Sequence, residues 1–141
     1  MNIDSVQNGI VLDHIKAGAC MEIYKYLKLD QLDCQVAIIK NAKSSKMGKK
    51  DIIKIDSPID LDLDVLGYID PDITVDIIKD GHLVEKKHLA LPKKLVNVIH
   101  CKNPRCITTA ETQLDAIFLL SDPEKRTYRC AYCEAERKSR R

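Results

Sequence analysis

The stretch Ile73-Thr74-Val75-Asp76-Ile77-Ile78-Lys79-Asp80-Gly81-His82-Leu83-Val84-Glu85-Lys86 decides the fold. Ile73 to Ile78 is rich in β-branched residues and reads as a strand. Lys79-Asp80-Gly81 is a turn signal, and His82 to Lys86 is β-prone again, so the stretch predicts a hairpin. Working outward toward the N-terminus, Ile10-Val11-Leu12-Asp13-His14-Ile15 predicts a strand after Gly9. A helix follows from about Gly18 to Lys28, because Ala19, Cys20, Ile23, Tyr24 and Leu27 recur at helical spacing. Gln35 to Ile39 and Ile52 to Ile55 are two more strands, joined by a basic loop over residues 40–50. Asp60 or Asp62 would cap a short helix carrying Leu63, Leu66 and Ile69. The order is βαββαβ plus a terminal strand, an α+β ferredoxin-like sheet with two helices on one face. Its open edge invites dimerisation or another partner.

Length and charge bound the rest. The 141 residues suffice for one ordinary domain or two small ones. Apolar residues make up 45% and charged residues 31%, as in a soluble folded chain. With 23 Lys+Arg against 21 Asp+Glu, neither a disordered chain nor a globally basic nucleic-acid binder is expected. There are five Tyr, one Phe and no Trp, so Ile, Leu and Val must build the core. No segment approaches the roughly 20 apolar residues of a membrane span. Met1 to Ser5 carry no basic stretch followed by an apolar one, so no secretory signal is expected. Character shifts near Leu95: residues 1–96 hold 14 Lys+Arg and 15 Asp+Glu, and residues 97–141 hold 9 and 6. Pro92, in the connector Leu89-Ala90-Leu91-Pro92-Lys93-Lys94, suits neither helix interior nor central strand. Domains over 1–94 and 95–141 are expected.

Four of the six cysteines lie in the second part, as Cys101-x4-Cys106 and Cys130-x2-Cys133. Without a secretory signal, a metal site is the better reading than a disulfide framework. Four thiolates suit one tetrahedral Zn²⁺ and leave no open position, so the site should be structural, in a small zinc-ribbon-like β domain. A rubredoxin-like iron site has the same ligand set, but redox iron sites favour symmetrical short pairs. His100 is either a strand-end residue or an alternative ligand. About 45 residues cannot hold a fold on apolar burial alone, and a metal would supply the difference. Cys20, on the apolar face of a helix, reads as core, and Cys34 as packing. Lys125-Arg126 and the terminal Arg137, Lys138, Arg140 and Arg141 form either a solvated tail or a nucleic-acid contact.

The first part shows no phosphate loop and no nucleophile elbow, so an enzyme in its own right is not indicated. Asp13-His14 interrupts an apolar strand. It is a strand end, a solvated face or a ligand site, since Asp can accept from a ribose hydroxyl and His can donate to a phosphate. Lys50 and Lys54 are four apart and share a strand face. Beside Asp13-His14 they fit either a solvated face or a nucleotide pocket.

Three stretches add up to a family: Gly9-Ile10-Val11-Leu12-Asp13-His14-Ile15, then Lys46-Met47-Gly48-Lys49-Lys50-Asp51-Ile52-Ile53-Lys54-Ile55, then Leu91-Pro92-x3-Val96-Asn97-Val98-x2-Cys101-x4-Cys106 completed by Cys130-Ala131-Tyr132-Cys133-Glu134. In this order they resemble the regulatory chain of aspartate carbamoyltransferase over nearly the full length. The resemblance implies a non-catalytic, cytoplasmic subunit of pyrimidine biosynthesis. Its first domain would form a homodimer and bind nucleoside triphosphate effectors. Its zinc domain would dock on the catalytic chain. Carried over by position, Asp13 and Lys54 would address the ribose, and His14 and Lys86 the phosphates, with Lys50 adjoining. Backbone groups near Val6, Val11 and Leu83 would read the base. Asp76 would stand near the phosphates and repel them unless Mg²⁺ bridges the two. Cys101, Cys106, Cys130 and Cys133 would hold zinc, with Asn103 and Glu134 at the catalytic chain. The alternative is a zinc-ribbon nucleic-acid-binding protein; the resemblance implies neither nucleic acid nor membrane as a partner.

Overall fold

The computed structural model describes residues 6–138. The expectation about a secretory leader at residues 1–5, and Arg140 and Arg141 of the basic tail, lie outside the described residues. The chain forms two compact units that divide between Ala90 and Leu91.

The first unit is a five-stranded antiparallel sheet in the order β2-β3-β1-β4-β5. Its strands are β1 (Gly9–Lys16), β2 (Val36–Ser44), β3 (Gly48–Ile55), β4 (Thr74–Lys79) and β5 (His82–His88). Helices α1 (Cys20–Tyr26) and α2 (Leu63–Ile69) complete it, so the ferredoxin-like βαββαβ order with its terminal strand holds. Alternation decides which face the helices cover. Ile10 pairs with Ile55 and Ile77, and Leu12 pairs with Ile53 and Val75. Ile10, Leu12, Ile53, Ile55 and Val75 are buried in one cluster with Cys20 and Ile23 of α1 and Leu66 and Ile69 of α2. Each fully buried Leu or Ile side chain contributes about 1.5–3 kcal/mol. Cys20 is a buried core residue, and Cys34 packs against the same cluster.

Gly9 is required here: a Cβ would run into the Ile55 carbonyl oxygen. Asp62 is the cap of α2, its carboxylate accepting from Asp64 N–H at 3.1 Å and Val65 N–H at 3.3 Å. At the β4–β5 turn Asp80 and Gly81 take φ of 51° and 77°, the left-handed pair that a two-residue hairpin needs.

Two expectations need correction. The helix expected over residues 18–28 begins at Cys20 and ends at Tyr26, with Gly18 at φ 96° and Lys28 at φ 54° outside it. The basic loop expected over residues 40–50 is mostly sheet. β2 and β3 pair out to Ser44↔Gly48. A two-stranded ribbon needs no buried face to continue, so its lysines hid it from a hydrophobic pattern. The ribbon is broken by a register shift between Ile39 and Ala42, where Asn41 takes φ 58°.

The second unit is a four-stranded antiparallel sheet, β6 (Lys94–Val96), β7 (Ile117–Asp122), β8 (Thr127–Cys130) and β9 (Glu136–Lys138), with a single turn of helix, α3 (Ile107–Ala110). Its small core holds Leu95, Ile99, Ala116, Phe118 and Tyr128 together with Cys106 and Cys130. Tyr128 is fully buried and its hydroxyl donates to the Pro92 carbonyl at 2.7 Å. Among the described residues no helix is long and apolar enough to cross a membrane.

Candidate functional site

The metal centre is built by two turns and a strand. The Asn103 carbonyl accepts from Cys106 N–H at 3.1 Å, and its side-chain oxygen accepts from Arg105 N–H at 3.0 Å. These bonds bend Cys101-x4-Cys106 back on itself. Cys106 then caps α3. On the other side, the Cys130 carbonyl accepts from Glu134 N–H at 2.8 Å, and Glu134 takes φ 65° to close the turn. The four Sγ atoms all lie within 4.8 Å of one another. Cys101 and Cys133 are 3.5 Å apart and Cys106 and Cys130 are 3.7 Å apart. All four are free thiols. Metal–thiolate bonds of about 2.3 Å in a tetrahedron put sulfurs about 3.8 Å apart, so the donor set fits a closed four-thiolate site. His100 is outside this group, and its carbonyl accepts from the Arg137 guanidinium at 2.7 Å.

The thiols are unequal. The Ala135 N–H, and next the Asn103 side chain, bring Cys133 down to about 6. Burial pushes Cys101 up to about 12. The Thr108 hydroxyl, 3.0 Å from Cys106 Sγ, pulls Cys106 down. Thr108 was not legible from the cysteine spacing. Asn103 and Glu134, expected at a partner contact, shape the two turns, and Glu134 is exposed.

The helix-free face of the first unit gathers most of the other expected residues. Lys54, Val11, Asp76 and Lys86 are successive cross-strand partners over β3, β1, β4 and β5. They form one row, with cations at both ends and a carboxylate between. One step along β1, Asp13 pairs with Thr74. Lys50 Nζ is 3.0 Å from Asp13 Oδ1. The register of β1 on β3 slips between Leu12 and Ile15, and His14 takes φ 60° in the slip. This turns His14 so that Nδ1 lies 3.0 Å from Thr74 Oγ1. Thr74 was missed from sequence, because a threonine in a β-branched run reads as ordinary strand. Leu83 is exposed on β5 opposite Ile78, while Val6 is buried beside Gly9.

The two carboxylates of this face differ. Burial opposes the charge on Asp13, but the Lys50 hydrogen bond and the His14 N–H outweigh it and hold the carboxyl below its ordinary range. Burial pushes Asp76 up, with Lys86 pulling the other way and Asp13 adding to the rise. Asp76 Oδ1 is buried and has no hydrogen-bond partner among the described residues. An orphaned carboxylate oxygen of this kind costs stability until something binds it.

Comparison with known proteins matches both units. The family model of the aspartate carbamoyltransferase regulatory chain, allosteric domain, covers residues 1–90, and that of its metal-binding domain covers residues 93–141. The aspartate carbamoyltransferase regulatory chain of Clostridium botulinum is 53% identical over 134 residues, 95% of this chain and 92% of the relative. That of Clostridium tetani is 52% identical over 135 residues, 95% and 94% of the two chains. That of Bifidobacterium longum is 47% identical over 138 residues, 98% and 99% of the two. Family models on both units, and relatives matched over nearly the whole length, place this chain among the regulatory, non-catalytic chains of aspartate carbamoyltransferase.

Proposed function

We propose that the chain binds nucleoside triphosphates on the helix-free face of its first unit and passes their effect to catalytic chains through its metal module, controlling carbamoyl aspartate synthesis in the cytoplasm. The observation that carries this reading is the row Lys54–Val11–Asp76–Lys86 beside the Lys50–Asp13 pair and His14. Asp13 and Lys54 face a ribose, and His14, Lys50 and Lys86 face phosphates. Backbone groups near Val6, Val11 and Leu83 read the base. Asp76 holds Mg²⁺ against the triphosphate, which would satisfy its orphaned oxygen and remove the repulsion. The metal in the second unit is one structural Zn²⁺, because four thiolates at tetrahedral separations suit it and leave no catalytic position. When bound, zinc supplies the cross-link that the module's small core lacks. Asn103 and Glu134, beside the ligands, contact the catalytic chain. The first unit pairs with its copy, so that regulatory dimers join catalytic trimers.

Mixing the zinc-loaded chain with its own catalytic trimer and weighing the product by light scattering tests this reading. A discrete complex much heavier than the trimer is expected. Separate elution with zinc present contradicts it. Nucleic-acid binding is disfavoured by burial of two of the module's three aromatic side chains, Phe118 and Tyr128, which leaves Tyr132 to stack on a base.

A further inference from the structure

Two register shifts lie on either side of β3, next to Asp51 and Ile52. β1 slips on β3 between Leu12 and Ile15, with His14 at φ 60°. β2 slips on β3 between Ile39 and Ala42, with Asn41 at φ 58°. Non-glycine residues in this region are strained and persist only where their surroundings over-determine them. Bulges of this kind re-aim side chains.

Asp51 lies between the two shifts and is fully buried. It pairs with Ile15, the residue after His14. Its Oδ1 accepts from Asn41 N–H at 3.0 Å, inside the β2 shift. Its Oδ2 accepts from Gly18 N–H at 2.9 Å and Cys20 N–H at 3.3 Å, where β1 gives way to α1. One carboxylate therefore ties three segments. Burial opposes its charge, but the Asn41 N–H, the Cys20 thiol and the two other N–H donors outweigh burial and hold it below the ordinary carboxylate range. Lys50 precedes it in the chain, points to the opposite face by alternation, and meets Asp13 there.

We infer that Asp51, from the helix side of the sheet, holds both bulges in the register that brings Asp13, His14 and Lys50 together on the other face, and is thus the positioning residue of the triphosphate pocket. The inference rests on the pocket reading above and goes beyond it, since Asp51 is buried on the sheet face opposite that pocket. An amide cannot replace the carboxylate, because its nitrogen donates. Either Asn41 N–H or the Gly18 and Cys20 pair is then left without an acceptor in the interior, and one bulge relaxes.

The test compares the full-length, zinc-loaded chain with its Asp51→Asn variant, using ATP and CTP as probes in calorimetry and the His14 imidazole in NMR. In the variant, triphosphate affinity falls tenfold or more, the His14 resonances move, and zinc content does not change. Loss of global stability alone would leave the His14 resonances of the folded fraction in place. A folded variant with wild-type affinity and unmoved His14 overturns the inference. Should the variant not fold, amide exchange in the wild-type chain decides. By linkage, saturating ATP should slow exchange at Gly18, Cys20 and Asn41 by the fold in affinity that their ties support. Unchanged exchange at all three overturns the inference. A wild-type chain that binds neither triphosphate overturns the pocket reading instead. His14 in the variant then judges Asp51 alone: moved resonances uphold its positioning role, and unmoved ones end it.

Discussion

Residues 6–90 bury a single cluster running from Ile10 and Leu12 through Ile53 and Ile55 to Leu66, Ile73 and Val75, under two helices. Residues 91–138 bury Leu95, Ile99, Phe118 and Tyr128, and much of what remains of their interior is cysteine. The first unit has an apolar core that stands apart from its polar face. The second has its donor atoms inside its core, at Cys106 and Cys130. A ligand on the first unit is therefore an addition to a formed fold, whereas metal on the second is part of the fold. On the proposed reading, this difference separates a sensor, whose occupancy varies, from a docking module, whose occupancy should not.

The sharpest way to break the contrast is to remove a thiol. Cys130→Ala should abolish zinc retention, module folding and assembly with the catalytic chain, while the NMR spectrum of the first unit survives. Metal analysis and light scattering read the first and third of these, and normal assembly without metal would refute the structural role. Next in size is Leu12→Ala, which empties a fully buried site and should cost about 2–5 kcal/mol in urea unfolding of the first unit. Zinc content should not follow it; parallel loss would mean that the units do not fold separately. Third, Lys54→Ala and Lys86→Ala should each weaken triphosphate binding by roughly 10- to 150-fold, the 1.5–3 kcal/mol of a charge-assisted hydrogen bond. Unchanged calorimetric affinity in both would remove the pocket.

The smallest effects concern two carboxylates on opposite faces of the sheet, Asp51 and Asp76, whose contributions have opposite signs. Asp51 is held below the ordinary carboxylate range, so its contribution is present above the unfolded-state value of about 4 and is lost as pH falls through the folded one. Asp76 is raised, so the unfolded chain ionises first as pH climbs through about 4, and stability falls until the folded carboxyl also ionises. Asp76→Asn should therefore raise the unfolding midpoint at pH 7 and not at pH 3. It should also strengthen binding of magnesium-free triphosphate several-fold. A variant less stable at pH 7 than the parent would show that Asp76 has a partner that its orphaned oxygen conceals.

Much of this was legible in the chain because β-branched runs, turn residues and one helical period report local structure. Ile10 to Leu12, Ile52 to Ile55 and Ile73 to Ile78 are apolar and β-branched enough to read as strands, and Asp80-Gly81 supplies the turn that orders β4 and β5. The cysteine spacing was legible because thiolate geometry tolerates few alternatives. The β2–β3 ribbon was not, since Lys43↔Lys49 and Ser44↔Gly48 carry no apolar pattern. The left-handed conformations of His14 and Asn41 were not, because neither residue type demands them. Asp51 sits in a run of lysines and reads as solvated surface. Its burial becomes visible only when Gly18, Cys20 and Asn41, far apart in the chain, converge on it.

The most direct measurement is CTP affinity of the enzyme assembled from this chain and its catalytic trimer, with and without a saturating bisubstrate analogue at the catalytic sites. Coupling through the metal module requires the two affinities to differ, by roughly 5- to 150-fold for an ordinary allosteric coupling of 1–3 kcal/mol. Equal affinities, with zinc bound and the complex intact, would contradict a regulatory role for the proposed nucleotide site.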